Sequence, residues 1–168
     1  SGWELSKLGC EVAARASANM VFSSVQGGMM GALGIGLPDV PIFLAAVFKT
    51  LFEISLSFGY PYDTKQEQTY QMLLICAAVG EEAERKQAAV DANIVAQQIR
   101  MGTGICSVSF EEAKQRASKA LCSAALMGKM VQGAPIIGVY GGFRNGVLLK
   151  QIGTVAAVKY QQRMLRER

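Results

Sequence analysis

The chain has 168 residues and a mass of 18.0 kDa, and 51% of its residues are hydrophobic whereas only 18% are charged. This composition excludes an intrinsically disordered chain, and the complete absence of histidine excludes Ser-His-Asp catalysis and zinc sites that need histidine. The net charge of +4 is uneven, because residues 1–112 carry 7 basic and 12 acidic groups whereas residues 113–168 carry 10 basic groups and 1 acidic group.

Apolar residues recur at helical spacing along almost the whole chain, which predicts an all-α fold. We expect a compact bundle of about six helices with Gly-rich broken helical segments, and a single domain that covers residues 1–168. The first predicted helix covers residues 3–25. A hinge rich in glycine and methionine, which includes Met29 and Met30, follows it over residues 27–36.

The second predicted helix is apolar on nearly every side. It begins at Asp39, whose carboxylate is suited to capping the first backbone N–H groups, and it ends at Gly59, a residue type that favours the left-handed position after a helix. Lys49 and Glu53 lie four residues apart on one face of this helix. Because an isolated buried charge is costly, we expect these two side chains to pair, to contact a ligand headgroup or to take part in catalysis.

The third and fourth predicted helices have clear N-terminal signals. Asp63 belongs to the turn before the third helix, and the pattern Thr64-Lys65-Gln66-Glu67 is typical of a capping box. The third helix ends at residue 79. The fourth covers residues 81–101 and opens with three glutamates, the charge that a helix N-terminus favours.

A second capping box at residues 109–112 begins the fifth predicted helix, which continues to about residue 131 and is the clearest amphipathic segment. A final helical stretch follows a proline break. It carries a stripe of small residues, which predicts close packing against another backbone; the stripe consists of Gly138, Gly142 and Gly146. Its end is basic, which complements the negative end of a helix dipole.

Neither a membrane span nor a metal site is predicted. The most apolar window, residues 29–48, is long enough to cross a bilayer, but glycines, prolines and an aspartate interrupt its centre. The four cysteines are too widely spaced for a metal site, and an intracellular protein with reduced thiols is the better interpretation. They are Cys10, Cys76, Cys106 and Cys122.

Several short motifs together resemble the EcsC protein family over residues 10–166. The motifs are Gly36-Leu37-Pro38-Asp39, Phe58-Gly59-Tyr60-Pro61-Tyr62-Asp63, Ala134-Pro135-Ile136-Ile137-Gly138, Gly141-Gly142 with Asn145, and the closing Ala156, Tyr160 and Arg163. The chain departs from the family pattern at Lys49, where an arginine is usual. Members usually carry more sequence before the first helix, so the resemblance implies a chain trimmed at its N-terminus.

The resemblance implies a bacterial, helical protein linked to membranes, secretion and ABC transporters, without an established reaction. The family's recurrent polar residues correspond here to Asp39, Glu53, Tyr60, Asp63 and Asn145, with Lys49 and Arg144 as nearby cations. We interpret Asp39 as a cap, and Tyr60 and Asp63 as turn residues that join the second helix to the third. The candidate ligand-binding residues are Lys49, Glu53, Met29, Met30, Tyr60, Arg144 and Asn145.

We therefore expect a membrane-associated helical module that binds an apolar or amphiphilic, lipid-like ligand. Flexible methionines and the basic C-terminal third favour this function. The alternatives are a hydrolase without histidine and a scaffold that binds a protein or a second copy of itself. We expect no cofactor, no metal and no nucleic-acid partner. The expected partners are an anionic membrane surface and a membrane protein, and the expected location is cytoplasmic and peripheral at the membrane.

Overall fold

The structure, a computed structural model, describes residues 39–130 and 139–167, with side chains described for residues 43–124 and 146–167. All of the regular secondary structure in these residues is α-helical, which confirms the predicted fold class. The helices are α1 (Asp39–Ser57), α2 (Lys65–Val79), α3 (Glu82–Met101), α4 (Phe110–Met130) and α5 (Val139–Glu167). The predicted first helix and the hinge with Met29 and Met30 lie outside the described residues.

Helix α2 is the centre of the bundle. It packs against α3, α4 and α5, and α1 packs against α5. Residues 69–78 are all buried, including the polar Thr69 and Gln71. Burial around the whole circumference explains why this helix shows no amphipathic pattern in the sequence.

Glycine follows three of the helices, at Gly59, Gly80 and Gly102, and it is left-handed at the first and the last of these, as the sequence predicts for Gly59. The φ angle of Gly59 is +81°, its N–H donates to the carbonyl of Leu56, and the N–H of Tyr60 donates to the carbonyl of Ser55. This pair of bonds is a Schellman motif, which satisfies carbonyls that the helix itself leaves free. Gly102 ends α3 in the same left-handed region, with a φ of +64°.

Three of the helices run in the same direction, and their C-termini meet at one end of the bundle. The guanidinium of Arg100, near the end of α3, donates to the carbonyl of Arg166 near the end of α5. The hydroxyl of Tyr60, just beyond α1, donates to Glu167 at the last position of α5. Helices α2 and α4 run the opposite way. We call the end that carries these C-termini the C-terminal end of the bundle.

The close approach between α5 and α1 occurs at Gly153. A Cβ atom added there would lie 3.4 Å from the Thr50 methyl group. Gly146, the member of the predicted small-residue stripe whose surroundings are described, is exposed and has no atom within 4 Å of such a Cβ. Gly138 and Gly142 fall outside the residues whose surroundings are described. The predicted close packing is therefore absent at Gly146, and a close approach occurs two turns further along the helix, at Gly153.

Within residues 39–130 and 139–167, no helix is both long and apolar enough to cross a membrane.

Candidate functional site

A buried ion pair joins the start of α2 to the end of α5. Nη1 of Arg163 donates to both carboxylate oxygens of Glu67 at 2.9 Å, and the hydroxyl of Tyr160 donates to Glu67 Oε1 at 2.7 Å. The Tyr160 hydroxyl also accepts a bond from Gln71 at 3.4 Å. The side chain of Glu67 is 0% exposed and that of Arg163 is 5% exposed. The carboxylate is thus held by a guanidinium and a phenol and has no contact with solvent.

Burial and neighbouring charges shift the pKa values of Glu67 and of Tyr160, which donates to it. Burial raises the pKa of Glu67, while the positive charge of Arg163 and the two hydrogen bonds act against that rise. Burial and the neighbouring Glu67 raise the pKa of Tyr160, so its hydroxyl keeps the proton that it donates. Because Glu67 is fully enclosed and fully bonded, its role is to hold α5 on α2 rather than to transfer protons.

Tyr60 connects the buried pair to the surface. Its ring lies 4.0 Å from the guanidinium carbon of Arg163, and its hydroxyl donates to Glu167 Oε2 at 2.7 Å. The same carboxylate of Glu167 accepts a bond from Arg163 Nε at 3.2 Å. Burial and Glu167 raise the pKa of Tyr60 to about 12. The Arg163 guanidinium therefore sits between a buried carboxylate and one at the surface.

A groove of about 440 Å³ opens between α3 and α5, next to this network. The residues that line it are Tyr70, Asn93, Ile94, Ala96, Gln97, Arg100, Lys159, Arg163, Arg166 and Glu167. Four of these side chains are cationic and one is anionic. Counting Glu67 behind Arg163 and Glu167 in the lining, four positive charges face two negative ones, so the groove has a net charge of +2. The cations without a carboxylate partner in the described residues are Arg100, Lys159 and Arg166.

The hydrogen bonds of these groove cations go to neutral oxygens. Nζ of Lys159 donates to the carbonyl of Ala89 at 3.2 Å and to Oδ1 of Asn93 at 3.0 Å. Arg100 donates to a backbone carbonyl of α5 at 3.3 Å. Burial and the positive charge of Arg166 lower the pKa of Lys159. Within the described residues, none of the three cations forms an ion pair, so the groove offers uncompensated positive charge to an anion.

A second group of charges lies on the other side of α3 and holds α4. Arg116 bonds Glu84 through Nε and Asp91 through Nη1, both at 2.8 Å, and Gln87 donates to Asp91 at 2.9 Å. Three carboxylates surround this guanidinium, since Glu112 lies 3.8 Å away. The cluster contains three carboxylates and one guanidinium, so its net charge is negative, and it holds α4 against α3.

The predicted site residues are dispersed. Lys49 and Glu53 form an exposed i,i+4 pair at 3.8 Å on the outer face of α1, with side chains 53% and 66% exposed. Neither lines the groove. Tyr60 lies in the connection between α1 and α2, and its side chain contacts two groove residues of α5. Asp63 is exposed in the turn before α2.

Other predicted site residues lie where the structure does not describe side chains. Asp39 is the first residue of α1, and Arg144 and Asn145 lie in the first turns of α5. Their side chains, like the whole of Met29 and Met30, are outside the described set.

Sequence analysis missed the central residue of the network. Thr64 caps α2 as predicted, by accepting a bond from the N–H of Glu67 at 3.2 Å. However, the Glu67 side chain turns into the core to bind Arg163, instead of completing a capping box. The motif Tyr160 with Arg163 was a usable signal, because these residues are one turn apart near the end of an otherwise amphipathic helix.

No metal site and no activated thiol emerges from the described residues. In this part of the chain no three His, Cys, Asp or Glu side chains are placed to hold a metal ion. Cys76, Cys106 and Cys122 are free thiols. Burial raises the pKa of Cys76 to about 12, which disfavours the reactive thiolate.

Comparison with curated proteins and with solved structures found no significant match. A protein-family model, in contrast, matches almost the entire chain. It covers residues 1–165, including the closing Tyr160 and Arg163 that bind Glu67. The chain therefore belongs to the EcsC protein family.

Proposed function

We propose that this protein is a membrane-associated helical module that binds an anionic amphiphile, with the charged headgroup lying in the groove between α3 and α5. The observation that carries the proposal is the convergence of Arg100, Lys159 and Arg166 on one groove without ion-pair partners in the described residues. Clustered cations that are not neutralised internally attract phosphate and carboxylate groups.

The buried network gives the groove a fixed floor. Tyr70 of the central helix α2 and Arg163 of α5 both line the groove, and Glu67 holds the Arg163 guanidinium in place. Hydrogen bonds to neutral oxygens also hold Arg100 and Lys159, and a cation that is already ordered loses little side-chain entropy when it binds a ligand. Ile94 and Ala96 add apolar surface to the same groove, which suits a ligand whose charged head is attached to a hydrocarbon chain.

The proposal is tested with dihexanoyl phosphatidylglycerol below its critical micelle concentration, so that a single lipid molecule is the ligand. Calorimetric titration compares the full chain with the double variant Arg100→Gln/Arg166→Gln. Each cation near a lipid headgroup contributes about 1 kcal/mol, or about fivefold in affinity, so the double variant binds about 25-fold more weakly. Raising the salt concentration weakens binding by the unmodified chain.

The matched control is Lys119→Gln/Lys150→Gln. It removes the same net charge from exposed positions on α4 and α5 that do not line the groove. We expect its affinity to stay within about twofold of the unmodified chain, because exposed charges farther away than a Debye length are screened. An equal loss of lipid affinity in both double variants would mean that only the net charge of the protein matters. The proposed site would then be wrong.

A further inference from the structure

Three of the eight exposed large hydrophobic side chains of the described residues follow one stripe of α3, and one of these three, Ile94, lines the groove. One more lies in the connection after α3, and two lie on α5, next in sequence to groove cations. We call these six the apolar rim. They are Val90, Ile94, Met101, Ile105, Val158 and Leu165.

The geometry of the rim follows from helical spacing. Val90, Ile94 and Met101 are four and seven residues apart, so they share one face of α3, and Ile94 itself lines the groove. Ile105 is 79% exposed in a connection that is folded back on α3, where the hydroxyl of Thr103 donates to the carbonyls of both Gln98 and Ile105. Aliphatic side chains thus follow the α3 wall of the groove to the C-terminal end of the bundle. Val158 and Leu165, seven residues apart, share a neighbouring face of α5 that does not line the groove.

We infer that the apolar rim lies against the surface of an anionic lipid bilayer, so that the groove meets its headgroup at the membrane rather than in solution. This inference rests on the proposed function, and it identifies the partner. Apolar side chains that flank a row of cations match the two layers of a membrane interface, in which acyl chains lie below anionic headgroups. Isolated exposed aliphatics are ordinary, but several on one helix face beside a groove indicate an interaction surface.

Charge favours a bilayer over a second copy of the chain as the occupant of this surface. Two copies that met face to face through the rim would bring Arg100, Lys159 and Arg166 against the same cations of the partner, since a two-fold interface pairs identical surfaces. Like charges opposed at an interface lower affinity. An anionic bilayer presents the opposite charge to the same cations.

The first experiment measures sedimentation of the full chain with vesicles of phosphatidylcholine that contain phosphatidylglycerol. The test variant is Met101→Ser/Ile105→Ser, which changes two rim residues that do not line the groove. Each aliphatic side chain that inserts contributes about tenfold or more to the partition coefficient. Because two such side chains are removed, we expect about a hundredfold loss of vesicle binding, with unchanged affinity for soluble dihexanoyl phosphatidylglycerol.

The matched control is Leu56→Ser/Val147→Ser. These residues are 55% and 50% exposed, close to the 57% of Met101, and they lie outside the rim. Vesicle binding by this control stays at the level of the unmodified chain. Equal binding by the test variant and the control overturns the inference while leaving the groove as a headgroup site, provided that the soluble lipid still binds. Failure of the unmodified chain to bind the soluble lipid overturns the proposed function and, with it, this inference.

A second experiment reports on insertion directly. Ile105→Trp and Val147→Trp are each made in a Trp3→Phe background, so that each chain has one tryptophan. Lipids with brominated acyl chains quench the fluorescence of the Ile105→Trp protein and leave that of the Val147→Trp protein unchanged. Absence of quenching at position 105, or a light-scattering mass that falls from dimer to monomer in Met101→Ser/Ile105→Ser, would show that something other than a bilayer covers the rim.

Discussion

Replacing Glu67 by leucine tests the buried network more directly than any other change. The substitution leaves the Arg163 guanidinium, whose side chain is 5% exposed, with the surface carboxylate of Glu167 as its remaining ion-pair partner in the described residues. Breaking a buried pair by removing one partner costs about 3–5 kcal/mol. Since folded domains have free energies of unfolding of about 5–15 kcal/mol, Glu67→Leu remains foldable but is strongly destabilised.

The magnitude is checked by a double-mutant cycle in urea, followed by helical circular dichroism at pH 7. We expect Glu67→Leu and Arg163→Met each to lower the free energy of unfolding by about 4 kcal/mol. The combined variant should lose about 2 kcal/mol, because both charges are gone and the hydroxyl of Tyr160 has lost its carboxylate acceptor. Glu67→Gln, which keeps an acceptor, provides a milder point if Glu67→Leu expresses poorly.

Residues in direct contact should show a coupling energy, whereas independent sites add. Additive losses in the double variant, or single losses below about 1 kcal/mol, would mean that Glu67 and Arg163 do not form the buried pair in solution. In that event Glu67 would also not hold the Arg163 guanidinium in place at the groove.

Three further predictions concern other parts of the bundle. Arg116→Met lowers the free energy of unfolding in urea by about 2 kcal/mol, because it leaves half-buried carboxylates unpaired. Lys86→Met, which breaks an exposed pair, changes the free energy of unfolding by less than about 0.5 kcal/mol. Similar losses in the two variants would contradict a packing role for Arg116. Gly59→Ala, at a φ of +81°, lowers the free energy of thermal unfolding by about 1 kcal/mol. Gly146→Ala, at a helical position with open space around it, raises that free energy by up to about 1 kcal/mol. A change in the same direction in both variants would refute the prediction. Tyr60 has a folded pKa of about 12, raised from 10.0, so its contribution to stability is complete below pH 10 and is lost as the pH rises through 12; Tyr60→Phe should flatten that alkaline decline in urea titrations.

The helix boundaries were largely predictable, because local chemistry specifies them. The glycine at position 59 and the Thr64 cap mark where α1 ends and α2 begins, and both act through residues that are neighbours in sequence. The acidic start of α3 and the glycine after it bracket Glu82–Met101. Such signals depend on backbone groups within a few residues, and so they need no knowledge of the rest of the fold.

The site was much less predictable. Lys49 and Glu53 stood out in the sequence as charges in an apolar helix, and of the expected alternatives they form the pair, on the exposed stripe of α1 and away from the groove. Glu67 looked like an ordinary capping residue, yet it is among the most buried side chains of the bundle. A glutamate can thus end in an exposed pair or in a buried one. The periodicity of a single helix does not distinguish these outcomes when that helix is buried on all sides, as α2 is.

The sequence by itself determined the all-α class, the ends of several helices and the concentration of positive charge in the last third of the chain. Only the tertiary structure decided where that charge acts. It pairs Arg163 with a carboxylate 96 residues away, and it places Lys159 and Arg166 opposite Arg100 to form a groove. Burial and long-range pairing depend on which helices become neighbours, and that choice is made by the packing of the whole core rather than by any local pattern.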